Sequence, residues 1–162
     1  MPLKRNVTNQ SIAWFWDIKK RGLLDMNPPY QRRSVWNQEY KDYFIDTILN
    51  GYPCPPIFLH QEISRDGTQK FSVVDGKQRL STVFEFIENQ FPISQKATKA
   101  SLRGLYFKDI DEPANREFWA YIFVVEYLPS SDEDLINNIF DRINRNVSKL
   151  SPQRAPTRPL RR

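Results

Sequence analysis

The chain has one cysteine, Cys54, and one histidine, His60, in 162 residues. A single cysteine excludes an internal disulfide and points to a reducing compartment. A single histidine excludes a catalytic centre built on two histidines, or a two-histidine zinc site, from this chain alone. Cys54 stands among prolines with no histidine close in sequence, so thiol catalysis has no support. No apolar run reaches the ~18 residues of a membrane-spanning helix. The first residues, Met1 to Asn6, lack the apolar stretch of a secretion signal, which makes the cytoplasm the expected location. Neither of the two common glycine-rich phosphate signatures, Gly-x-x-x-x-Gly-Lys-[Ser/Thr] and Gly-x-Gly-x-x-Gly, occurs. Carboxylates are plentiful, but nothing in their spacing recommends a glycosidase-type pair.

Hydrophobic residues make up 40% and aromatics 14%, enough for a folded core in what the length suggests is one domain. The net charge is +5, but the last twelve residues carry Arg154, Arg158, Arg161 and Arg162 and no acid. Four of the five net charges lie there. The nearly neutral body is therefore no nucleic-acid footprint. The sequence predicts a domain over residues 1–150 and a disordered arginine- and proline-rich tail over 151–162.

Residues 71–82, Phe71-Ser-Val-Val-Asp75-Gly76-Lys77-Gln78-Arg79-Leu-Ser-Thr82, organise the rest. A β-branched apolar run reads as a buried strand, Asp75-Gly76 as a turn, and Leu80, Val83, Phe84 and Ile87 as one face of a helix. Lys77, Gln78 and Arg79 then sit on the first turn of a helix leaving a strand through a glycine. Backbone N–H groups and the positive end of the helix dipole point there, which is the local chemistry of a phosphate site. The plainer alternative is a tight strand-to-helix turn with solvated cations.

Around this stretch the chain reads as follows. Helical spacing predicts a short amphipathic helix over Ser11 to Arg21, capped by Thr8 or Asn9, with Trp14 and Trp16 as packing residues. Leu23 to Asn27 suits a short strand, and Pro28-Pro29 an extended path. The loop Tyr30 to Trp36 holds Arg32 and Arg33 between aromatic residues and reads as a surface loop with an aromatic anchor or as an anion clamp. Asn37 caps a helix from Gln38 to Asn50 whose expected buried stripe is Tyr40, Tyr43, Phe44, Thr47 and Ile48. Glu39-Tyr-Lys41 looks like part of a nuclease element, but it lies inside that helix without a paired upstream acid. A hairpin follows, from Ile57–Ile63 through Asp66-Gly67 to Lys70–Val74. The helix after Gly76 extends to Asn89. Residues 90–113 are irregular, with a short strand between Leu102 and Ile110. Phe118 to Leu128 is predicted as a long central strand. Ser130 and Ser131 precede acids that open a helix to about Asn144.

Three ordered motifs carry a family resemblance: Asn27-Pro-Pro-Tyr-Gln31-Arg32 with Val35-Trp36, then Val74-Asp75-Gly76-Lys77-Gln78-Arg79-Leu-Ser-Thr82, then Phe140-Asp-Arg142-Ile-Asn144 with Leu150-Ser-Pro-Gln153. Over residues 8–153 the chain resembles the N-terminal domain of GmrSD-type modification-dependent restriction systems. That domain is related to the ParB/sulfiredoxin fold, and its Asp-Gly-Gln-Gln-Arg hallmark has Lys77 here in place of the first Gln. The resemblance implies an α+β fold, a small mixed sheet with flanking helices, and a nucleoside triphosphate bound and in several members hydrolysed at the motif. Asp75 and Gln78 are the implied catalytic residues, either of them orienting a water. Gln31, Arg32, Gly76, Lys77, Arg79, Arg142 and Asn144 are the implied nucleotide ligands, with Mg²⁺ held through the phosphates and no protein metal site. Backbone N–H groups near Gly76 and the Arg79 guanidinium would hold phosphate oxygens, Arg32 or Arg142 would add charge, and Lys77 would strengthen phosphate binding or face solvent.

The same resemblance implies anti-phage defence through modified DNA, with DNA and a separate nuclease subunit as partners and no membrane. Relatives continue through further helices, often into a histidine-containing nuclease domain, and have Glu where this chain has Arg154. The expected function is thus a triphosphate-binding, hydrolysing sensor that does not cut DNA alone. The alternatives are a non-catalytic DNA-binding adaptor and a truncated remnant.

Overall fold

The computed structural model describes residues 4–26, 36–128 and 132–154, the last stretch with side chains only to Ile143 and at Arg145. The chain forms two units, Met1–Pro129 and Ser130–Arg162. In the first, the elements run β1 (Asn6–Ser11), α1 (Ile12–Lys20), β2 (Leu24–Asp25), α2 (Gln38–Leu49), β3 (Ile57–Ile63), β4 (Gln69–Asp75), α3 (Lys77–Ile87), α4 (Glu112–Ala120) and β5 (Ile122–Leu128). The five strands make one mixed sheet in the order β1-β5-β3-β4-β2. Pairing is antiparallel for β1–β5 and β3–β4, and parallel for β3–β5 and β2–β4. The architecture is α+β, a small mixed sheet with helices, as the sequence predicted.

Strand alternation builds the core. Ile57 and Leu59, Phe71 and Val73, and Phe123 and Val125 turn to one face and meet Ile12, Phe15 and Ile18 of α1, Phe44, Ile45 and Ile48 of α2, and Leu80, Val83, Phe84 and Ile87 of α3. Phe123, fully buried, is a hub. Its ring lies edge-on to Phe15 (5.6 Å) and Tyr121 (5.4 Å) and stacks on Phe44 (6.4 Å). Such offset and edge contacts add to the area that the ring buries.

Several expectations are corrected. The sequence missed β1: residues 6–11 are mostly polar and pair only with β5 at the far end of the unit. Because that strand runs to Ser11, the cap of α1 is Ser11, whose Oγ accepts from the Trp14 N–H (3.1 Å), and not Thr8 or Asn9. Charge holds the start of this edge. Arg5 donates a fork to the buried Glu126 carboxylate at 2.8 and 2.6 Å, which satisfies the acid and holds its pKa down. In α2, Asn37 caps as expected (3.0 Å to Tyr40 N), but the buried stripe is Phe44, Ile45, Ile48 and Leu49. Tyr40 and Tyr43 are exposed.

Residues 118–120 are helical rather than the start of a strand. Asp111 Oδ1 accepts from Ala114 N–H (2.9 Å) and Pro113 stands in the first turn, so local capping starts α4. The aromatic run then packs Phe118 on Phe86 (5.4 Å) and Phe107 (5.2 Å). β5 is interior, but the middle strand is β3, and Ile122 and Val124 on its other face are exposed. The strand expected between Leu102 and Ile110 is replaced by 3-10 turns at Ala100–Leu102 and Phe107–Asp109.

The second unit is α5, Glu133–Arg154, which carries the helix past Asn144. Asp132 Oδ1 accepts from Asp134 N–H (3.0 Å) and caps it. The Ser130-Ser131 cap and the Pro28-Pro29 path lie outside the described residues.

Phe123→Ala is expected to cost about 3–5 kcal/mol of unfolding free energy through the cavity it leaves. Tyr43→Ala should stay within ~0.5 kcal/mol. Urea unfolding of the two variants checks both.

Candidate functional site

The motif Asp75–Arg79 occupies one turn, between the last residue of β4 and the first turn of α3. Gly76 caps the helix in the left-handed region, φ 115°, with no side-chain cap bond. A Cβ there would lie 2.4 Å from Ile57 Cδ1, so the position excludes side chains on both conformational and packing grounds. The first intrahelical bond is Leu80 N–H to Gly76 C=O at 3.0 Å. The amides of Lys77, Gln78 and Arg79 precede it, at the positive end of the helix.

The side chains divide the turn's work. Gln78 Oε1 accepts from the Trp36 N–H (3.1 Å), which ties the motif to the chain entering α2. Arg79 is 9% exposed. Its Nη1 donates to Pro55 O, and its Nη2 to Pro56 O (3.2 Å) and Asp75 Oδ2 (3.3 Å). Burial raises the Asp75 carboxyl pKa, while Arg79 and the Gly76 N–H pull it back.

Residues the sequence did not single out complete this surround. Tyr121 Oη donates to Tyr52 O at 2.6 Å, anchoring the other end of the Pro53–Pro56 connector. Burial pushes the Tyr121 hydroxyl up strongly, its hydrogen bond with the Cys54 side chain adds to the rise, and Arg79 opposes it. The available signal was the run of prolines, whose carbonyls need donors and whose nitrogens can offer none.

Gln31 and Arg32, and the side chain of Asn144, lie outside the described residues. Arg142 is on α5, where its Nε donates to Asn138 Oδ1 (2.8 Å). Lys41, of the nuclease-like triplet, pairs with Glu85 at 2.8 Å. Among the described residues no group of three or more His, Cys, Asp or Glu side chains is arranged to hold a metal. A cleft of 370 Å³ is lined by Glu39, Asp42, Tyr43, Asp46, Ser94, Lys96 and Ala97. Its three carboxylates against one lysine repel a polyphosphate.

The order of motifs along this fold has a match. The family model for the GmrSD restriction endonuclease, N-terminal domain, matches residues 14–154. The chain belongs to that family. As a GmrSD N-terminal domain it is a component of a restriction system. No curated protein and no solved structure matches it. Among the described residues no helix is long and apolar enough to cross a membrane.

Two outcomes follow at the motif. Gly76→Ala should destabilise by about 1–3 kcal/mol from the backbone conformation alone, with the Ile57 contact adding to it. Asp75→Asn should behave oppositely at neutral pH. A carboxyl whose native pKa is raised costs stability once ionised; the cost grows as pH rises through the carboxylate range and is gone below the ordinary value of 3.8. The stability gap in favour of Asp75→Asn at pH 7 should close on acidification, as read from denaturation midpoints across pH.

Proposed function

We propose that this domain binds a nucleoside triphosphate at the start of α3 and uses it in a restriction system directed at DNA. The observation that carries the reading is the left-handed Gly76, which opens α3 without a side-chain cap immediately after a partly buried carboxylate. Amides at that end, together with Lys77, suit phosphate oxygens. Mg²⁺ would arrive with the nucleotide, bridging its phosphates. In this reading Asp75 or Gln78 orients a water, which makes slow hydrolysis part of the proposal. By the family likeness Gln31, Arg32, Arg142 and Asn144 supply further contacts, and a separate nuclease subunit does the cutting.

Calorimetry with Mg-ATP and with Mg-GTP tests the reading. The wild type should bind one of them. Lys77→Glu should keep its melting temperature, since an acid suits a helix N-terminus, yet lose at least about tenfold in affinity by repelling the phosphates. A well-folded wild type that binds neither triphosphate would overturn the proposal.

A further inference from the structure

The Arg79 guanidinium is held within the protein through both of its terminal nitrogens. It is 9% exposed and bonded to the carbonyls of Pro55 and Pro56 and to Asp75. A buried guanidinium gives up water only because such acceptors replace it. Turning its terminal nitrogens to a phosphate would abandon carbonyls in a segment poor in other means of restraint. Three of the four residues of the connector 53–56 are prolines, which have no N–H and cannot close turn bonds of their own. The connector leads directly into Ile57, the residue against which Gly76 is seated without room for a Cβ. Ile57 is itself held by pairing with Val125 of β5, so holding Pro55 and Pro56 ties the connector to the strand end that seats the turn presenting Asp75 and the α3 amides.

We propose that Arg79 is a positioning residue, one that holds the proline connector and the Asp75 carboxylate in place without touching phosphate. The proposal rests on the triphosphate reading for its function, but its structural half stands alone. The role needs the two-pronged donor geometry of arginine and not its charge, which separates it from a phosphate contact that lysine would partly preserve.

Cys54, the chain's one thiol, lies in the connector and is partly buried, so it reports on the seating. Its labelling rate with an aromatic disulfide reagent, measured on the full chain well below the melting temperature, should rise at least about tenfold in both Arg79→Lys and Arg79→Gln. Mg-ATP and Mg-GTP affinity, by calorimetry, should fall equally in the two. Labelling at the wild-type rate in Arg79→Lys, or triphosphate binding kept by Lys and lost by Gln, would overturn the proposal. If the wild type binds neither triphosphate, the functional reading of the preceding section fails, and the labelling rates still decide whether Arg79 holds the connector. If neither variant folds, the wild-type guanidinium nitrogen resonances decide. They should be unmoved by saturating nucleotide, and a shift of phosphate-contact size overturns the assignment.

Discussion

The contact between Gly76 and Ile57 governs the geometry of this domain. A strand must end, reverse into a helix and do so directly over a residue of the neighbouring strand, where an added methyl group would have to displace the buried Ile57 side chain. Only a backbone without Cβ, in a conformation that other residues adopt at a cost, meets both demands. The position of Asp75, the start of α3 and the approach of the connector to β3 all follow from that contact.

The second dependence is electrostatic. A cation and a carboxylate are both withdrawn from water beside the turn: the cation is tolerated because the carboxylate and two proline carbonyls accept from it, the carboxylate because the cation and the Gly76 N–H donate to it. The balance is not symmetrical: Arg79 is well supplied with acceptors, whereas Asp75 remains net disfavoured as an anion. A carboxyl held in that state is a common mark of a working site, because nothing in packing alone rewards it. Tyr121 shows the same logic at lower stakes, a buried hydroxyl whose donation to Tyr52 restrains a segment that cannot restrain itself.

The hairpin, α2 with its Asn37 cap, and the Asp75–Arg79 turn are legible in the amino-acid sequence, because strand alternation, capping and glycine chemistry operate within a few residues. What stayed hidden depended on distant partners. Residues 6–11 look like nothing in particular until β5 is placed beside them. Tyr40 and Tyr43 satisfy helical spacing as well as Ile45 and Leu49 do, and only the position of the sheet decides which stripe is buried. Residues 118–120 carry strong strand propensity and are helical because Asp111 and Pro113 start a helix whose face meets Phe86 and Phe107. In the site, the motif was readable as a string, but the carbonyl acceptors of Arg79 lie more than twenty residues away, so those attachments were not.

The pairing of β1 with β5 also has a temporal meaning. Asn6 stands opposite Tyr127 in the sheet, so the earliest described strand of the unit is matched to its latest. Until residues 122–127 have been made, β1 has no sheet neighbour, and the Phe123 hub waits on the same stretch. β1 must wait for its partner through most of the synthesis of the unit, whereas α1 already meets Phe71 and Phe84, so the β1–β5 pairing is a long-range closure of the kind that slows folding. Completion of the sheet thus comes late in the synthesis of the unit, once β5 is there to receive β1.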